Sequence, residues 1–258
     1  MIEIDKINGI LFESYALGNS VKTLNSTPCS ICRKWIEDNP TRDTLIRIEL
    51  PEIHFHGSEF NSCERKVFLN YLNGGTMSFS DAPFLNDGHL HESSILQSIY
   101  AGLPDGWKIK IFENQGEQIR EVLGFKLVSH MDSVIMTPDK EVYGLECKAV
   151  KDKNFSKYKD GIIDPIWYGQ IQSYMFSNNI DCFYLIVKNR DTSKIHIPIM
   201  VEKDLAFIAD RLNVLKDVAH VIELTKKNYT IKQPNRKHSS SKEIECQFCP
   251  YKLACWKE

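Results

Sequence analysis

Four cysteines, widely separated along the chain, place the tightest constraint on how it can fold. Cys63 lies in a helix-like segment, and Cys246, Cys249 and Cys255 crowd the run CQFCPYKLAC far downstream. If the four share a metal, the tail must return to the helix around Cys63 and close one domain. Four thiolates can hold zinc or an iron–sulfur cluster, and their residue types alone do not separate the two. One CxxC with a third cysteine just behind it and a remote fourth fits a cluster better than the paired knuckles of structural zinc. Merely buried thiols are the plainer alternative, but three within ten residues of a polar tail argue against it.

A chain of 258 residues suffices for one large domain, or a domain with an extension. Its 42% hydrophobic and 26% charged content is that of an ordinary globular protein. A net charge of −2 gives no global basic signature. Nucleic-acid contact would need a local patch such as Lys226, Lys227, Lys232, Arg236, Lys237 and Lys242. No apolar run is long enough to span a membrane, and MIEIDKINGILFESYALG lacks the basic start and small-residue exit of a secretion signal. A cytoplasmic location without a membrane partner is the expectation. In that reducing compartment the eight cysteines read as metal ligands or buried thiols rather than disulfides.

Residues 1–50 read as an N-terminal extension with a strand-like stretch at Thr44–Leu50, and residues 51–258 as the main domain. A helix is predicted over 58–73, capped by Ser58, stopped by Gly74-Gly75, with Phe60, Cys63, Val67 and Tyr71 on one stripe. A second helix is expected from Asp87 to Ala101, packing through Leu90, Ile95 and Ile99. Phe125–Met136 and Glu141–Val150 read as a hairpin around Thr137-Pro138-Asp139-Lys140. Asp164-Pro165 opens a helix to about Ser177. Strands follow at Cys182–Lys188 and Lys194–Val201, then an amphipathic helix over Glu202–Lys227 and a basic loop over 228–245. This order predicts an α/β fold around a central mixed sheet flanked by helices.

The hairpin carries the chemistry. Glu146 and Lys148 share parity on a strand and point to one face, while Cys147 points to the other. With the turn at 137–140, Asp132 lies opposite Glu146 or one residue away. Two carboxylates and an ammonium then converge, and carboxylate oxygens suit Mg²⁺ or Mn²⁺. Such an ion can polarise a phosphodiester and acidify a bound water. A surface salt-bridged hairpin is the plainer alternative. Gln170 and Tyr174 share a helix face downstream, and His91 sits on a helix beside Glu92.

A second group lies in the extension. Cys29-x-x-Cys32 precedes His54-Phe-His56, whose alternation puts both imidazoles on one face of a strand. Two cysteines and two histidines would satisfy a tetrahedral zinc, although the spacing is not that of a standard finger. A reduced thiol pair beside two surface histidines is the alternative. Cys182 and Cys147 read as core.

Taken together, the residues resemble the PD-(D/E)XK nuclease superfamily in its RecB-like branch, and within it the iron–sulfur exonucleases of the Cas4 and AddB type. The family order runs cysteine, Gly-x-x-His, Asp, Glu-x-Lys, Gln-x-x-x-Tyr, three cysteines. Here it reads Cys63, Gly88-His-Leu-His91, Asp132, Glu146-Cys-Lys148, Gln170-Ile-Gln-Ser-Tyr174, then Cys246, Cys249 and Cys255. No single motif is specific; the ordered set, covering 58–258, carries the likeness. The usual proline before the first aspartate is absent, since His130-Met131 precedes Asp132.

The resemblance implies a restriction-endonuclease-like core whose tail is tied down by the cysteines. It implies a Mg²⁺ or Mn²⁺ site from His91, Asp132, Glu146 and the Cys147 backbone carbonyl. Lys148 would be the catalytic lysine, Gln170 and Tyr174 would help position DNA, and Cys63, Cys246, Cys249 and Cys255 would hold a [4Fe–4S] cluster. The expected activity is DNA cleavage, exonucleolytic and favouring single strands or free ends, alongside recombination, repair or CRISPR-adaptation proteins. The alternatives are a non-catalytic nucleic-acid-binding adaptor and an endonuclease of the same superfamily.

Overall fold

In the computed structural model, residues 29–38, 47–73, 82–196, 198–230, 232–247 and 249–256 are described. The elements, in chain order, begin with helix α1 (Ser30–Asp38), strand β1 (His54–His56), α2 (Glu64–Asn73) and α3 (Ala82–Ala101). Three long strands follow: β2 (Lys108–Val122), β3 (Phe125–Met136) and β4 (Val142–Val150). A one-turn helix α4 (Asp152–Phe155) leads to α5 (Pro165–Asn178), β5 (Cys182–Asn189), β6 (Ile199–Glu202) and α6 (Leu205–Lys226). Short helices α7 (Ile244–Gln247) and α8 (Lys252–Trp256) end the described chain. None of the described helices is long and apolar enough to cross a membrane.

The expected mixed sheet with flanking helices is present. Its order is β1-β3-β4-β5-β6, with β2 also paired to β3. β2 runs antiparallel along β3 from Lys108↔Met136 to Val122↔Phe125, with an irregularity between Ile111 and Gly116. A strand has two edges, so β1 and β4 must share the other one. β1 takes Lys126–Val128 in parallel, and β4 takes Ser133–Met136 antiparallel. Between them, residues 129–132 lie at a fork in the sheet.

Helices close both faces. α3 packs on β4 through Ile95 and Leu96 against Leu145 and Cys147. On the other face Ile171, Tyr174 and Met175 of α5 pack on Phe183, Leu185 and Val187 of β5. Ile208, Leu212, Leu215 and Ile222 of α6 bury against Phe60, Val67 and Phe68. Asp164 caps α5 by accepting from the Ile166 N–H, with Pro165 in its first turn.

Several sequence expectations shift. The predicted helix over 58–73 divides into a 3₁₀ turn at Gly57–Glu59 and α2, whose first bond runs from the Val67 N–H to the Cys63 carbonyl. The proposed stop at Gly74-Gly75 lies outside the described residues. α3 begins at Ala82 rather than Asp87, and Leu90 is exposed instead of packing. Strand β2 was not expected. The strand predicted at Lys194–Val201 is confined to β6, with one isolated bridge at Ile195. α6 starts at Leu205, which is exposed, because Asp204 accepts from the Phe207 N–H and caps it.

The strand-like reading of Thr44–Leu50 is overturned at Arg47–Glu49, a 3₁₀ turn; residues 44–46 lie outside the described set. Arg47 explains the change. It is 1% exposed, paired with Glu59 at 2.6 Å and bonded to the His54 carbonyl, so the backbone curls to bring it inward.

Candidate active site

Asp132 and Glu146 meet at the fork. The β3–β4 ladder ends at Ser133↔Leu145, so these are the next facing residues, at the point where the strands part. Leu145 and Cys147 turn toward α3, and alternation sends Glu146 and Lys148 to the opposite face. α5 closes over the fork, where Asn178 Nδ2 donates to Ser129 Oγ at 3.3 Å. At its other end Gly169 lets α5 approach the segment before α2, since a Cβ there would stand 2.3 Å from Asn61 Cβ.

Burial makes the site electrostatically tense. Glu146 is 1% exposed and Asp132 9%. Lys148 Nζ lies 2.6 Å from Glu146 Oε1 and 3.6 Å from Glu92 Oε1. Burial pushes the Asp132 carboxyl well above its ordinary range, and the Glu146 charge adds to this, against a bond from the Cys147 N–H. Glu146 is also raised, again first by burial, with Lys148 opposing. For Lys148 burial acts downward, but Glu146, Glu92 and Asp132 outweigh it and keep the ammonium charged. Asp132 Oδ2 and Glu146 Oε2 are buried without a hydrogen-bond partner. Two adjacent carboxylate oxygens lacking donors form a set that a hard divalent cation fits.

Of the other expected residues, Gln170 and Tyr174 flank this pair, whereas His91 is not gathered with Asp132 and Glu146 at the spacing of a single ion. Tyr174 is buried, and its hydroxyl accepts from Gln170 Nε2 at 2.5 Å. Burial, then Glu146 and Asp132, raise its pKa well above the usual phenol value. His91 is half-buried on α3, one residue before Glu92. Glu92 was missed by sequence reasoning. Its adjacency to His91 was visible, but a single acid on a helix gives no periodic signal.

Cys63, Cys246, Cys249 and Cys255 line one cavity between α2 and the tail. Part of the expected basic patch works there: Arg236 donates to the Cys255 carbonyl, and Lys237 pairs with Glu245 at 3.1 Å. Lys226 Nζ donates to the Leu50 carbonyl at 2.6 Å. These three cations therefore serve as internal clasps. Cys147 is fully buried as expected, whereas Cys182 is only half-buried.

Cys29, Cys32, His54 and His56 also come together, their ligand atoms all within 4.8 Å of one another. Among the described residues this is the one group of three or more His, Cys or acidic side chains gathered at the spacing of a single ion.

No family model matches the chain, and no curated protein matches it. Solved structures do. The crystal structure of SSO0001 superposes with a TM-score of 0.55 at 14% identity, over 86% of this chain and 92% of that one. An alkaline exonuclease from Laribacter hongkongensis, LHK-Exo, matches with a TM-score of 0.51 at 13% identity, over 68% of this chain and 90% of its own. Its complex with dAMP gives 0.51 and 13% over 71% and 93%. At these identities the likeness is one of fold.

Proposed function

We propose that this chain is a divalent-metal-dependent DNA nuclease of the PD-(D/E)XK superfamily, acting as an exonuclease on single strands or free ends. The observation that carries the reading is the buried Asp132–Glu146 pair at the fork, with unpaired oxygens and Lys148 beside it. The fold shared with an alkaline exonuclease, one crystal of which contains dAMP, supports a nucleic-acid substrate. The Cas4/AddB branch is favoured by the motif order and by the four thiols on one cavity.

Asp132, Glu146 and the Cys147 carbonyl would hold the Mg²⁺ or Mn²⁺, with His91 as the fourth ligand. When bound, the ion supplies Lewis-acid activation of the phosphodiester and of water. Lys148 is kept protonated by its carboxylate neighbours and supplies a fixed positive charge where negative charge develops on phosphorus. Tyr174, with its hydroxyl engaged by Gln170, orders the wall of the site on α5 and helps seat the DNA backbone.

Cys63, Cys246, Cys249 and Cys255 would hold a [4Fe–4S] cluster. They share one cavity, and one CxxC with a third cysteine behind it and a remote fourth favours a cluster over one zinc.

The test is anaerobic purification followed by iron analysis and incubation with end-labelled linear and circular single-stranded DNA, with and without Mn²⁺. Iron-containing protein that degrades only the linear substrate, and only with metal, is expected. Cleavage of circles would favour an endonuclease. Binding without cleavage at any metal concentration would favour the adaptor and overturn the proposal.

A further inference from the structure

We infer that Cys29, Cys32, His54 and His56 form a closed, structural zinc site that clamps α1 to the sheet edge beside the fork. The two thiols and His54 are fully buried, and His56 is largely so. Cys32 Sγ lies 3.2 Å from His54 Nε2, and the Cys32 N–H points at Cys29 Sγ at 3.5 Å. That N–H···S turn, made by a CxxC at a helix start, presents both sulfurs to one side. His54 and His56 face it from β1, their ring centroids 5.4 Å apart. His56 Nε2 is buried without a hydrogen-bond partner.

The donor set identifies the ion. Two thiolates and two imidazoles gathered within 4.8 Å suit zinc, and a site with all four positions filled by protein is structural rather than catalytic. Bonds of about 2.0–2.3 Å hold tetrahedral ligands about 3.3–3.8 Å apart, so atoms within 4.8 Å of one another have at most about 1.0–1.5 Å to close.

The surroundings give the site its role. The Ser30 N–H, at the start of α1, donates to Glu117 Oε2 on β2 at 2.9 Å, and the same oxygen meets His130 Nε2 at 3.1 Å. His130 in turn stacks on His56 at 5.9 Å. The ion would thus fix α1, β1 and the β2–β3 ladder to one another two residues before Asp132. Metal and fold would be linked, and removing the ion should loosen that edge.

The test is metal analysis of the full chain purified without chelator, independent of any cleavage assay. About one zinc per chain is expected. X-ray absorption at the zinc edge should give two sulfur and two nitrogen neighbours, a readout needing no variant. Cys246→Ser should retain the zinc, and the Cys29→Ser/Cys32→Ser double variant should lose it. Protein without stoichiometric zinc, four-sulfur coordination, or zinc that leaves with Cys246→Ser would each overturn the inference.

Discussion

Glu92 of α3 lies 3.6 Å from Lys148 of β4, carboxylate to ammonium. Lys148 is therefore held between two acids rather than by Glu146 alone. Glu92→Gln should reduce cleavage by about tenfold, on the order of the 1.4 kcal/mol that one such interaction supplies. Steady-state rates with Mn²⁺ would measure it, and an unchanged rate would remove Glu92 from the site's electrostatics.

Glu146→Gln separates function from stability. Cleavage should fall by about a hundredfold or more. Thermal stability should hold or rise, because a carboxylate whose ionised form burial disfavours becomes neutral while Lys148 keeps Glu92. Parallel melting and nuclease assays would decide, and a large drop in Tm would mean that Glu146 is structural.

The raised Asp132 and Glu146 pKa values have a signed consequence. Both groups bind protons more tightly folded than unfolded. They stabilise the metal-free chain below their ordinary values, and that contribution is lost as pH rises through the elevated ones. A divalent ion must displace those protons, so Mn²⁺ affinity should climb with pH across the same window. Calorimetry in buffers of different ionisation enthalpy would register the proton release.

Glu59 titrates in the opposite sense. Burial would raise it, but the Arg47 guanidinium outweighs burial and holds it down to about 2 from 4.5. Its stabilisation is complete above 4.5 and disappears as pH falls toward 2, a contribution of about 3 kcal/mol. Glu59→Gln should flatten the acid limb of a stability–pH curve. Arg47→Met, which leaves Glu59 buried without its cation, should cost about 3–5 kcal/mol in urea unfolding at neutral pH.

Gly57 lies behind Tyr174. A Cβ there would stand 2.6 Å from Ser173 Oγ and 2.7 Å from the Tyr174 ring. Gly57→Ala should cost about 1–3 kcal/mol by overpacking. It should also reduce cleavage, by pushing Tyr174 off its Gln170 contact. A variant that melts early yet cuts normally would show that Tyr174 is not needed in place.

The β3–β4 hairpin was legible to within a residue because its alternation is strong and its turn residues are specific. α5 was legible from Asp164-Pro165. β2 was not, because it pairs only with β3 and leaves Ile111 and Ile119 exposed, so its pattern never resolves into a buried face. Arg47 was equally hidden: an arginine in a charged run reads as surface, and only the fold supplies Glu59. The carboxylate pair was readable because a short turn fixes register. The partners brought by α3 were not, since they depend on tertiary docking.

The turn Thr137-Pro138-Asp139-Lys140, exposed from Pro138 onward, touches none of this chemistry, yet it governs it. It is closed by bonds from the Lys140 N–H to the Thr137 carbonyl and from the Thr137 N–H to the Glu141 carbonyl, which set the offset between Asp132 and Glu146. One deleted residue would slide β4 a single step and present Cys147 and Ala149 where Glu146 and Lys148 now stand. Such a turn tolerates a change of letters better than a change of length, which would erase the site at a stroke.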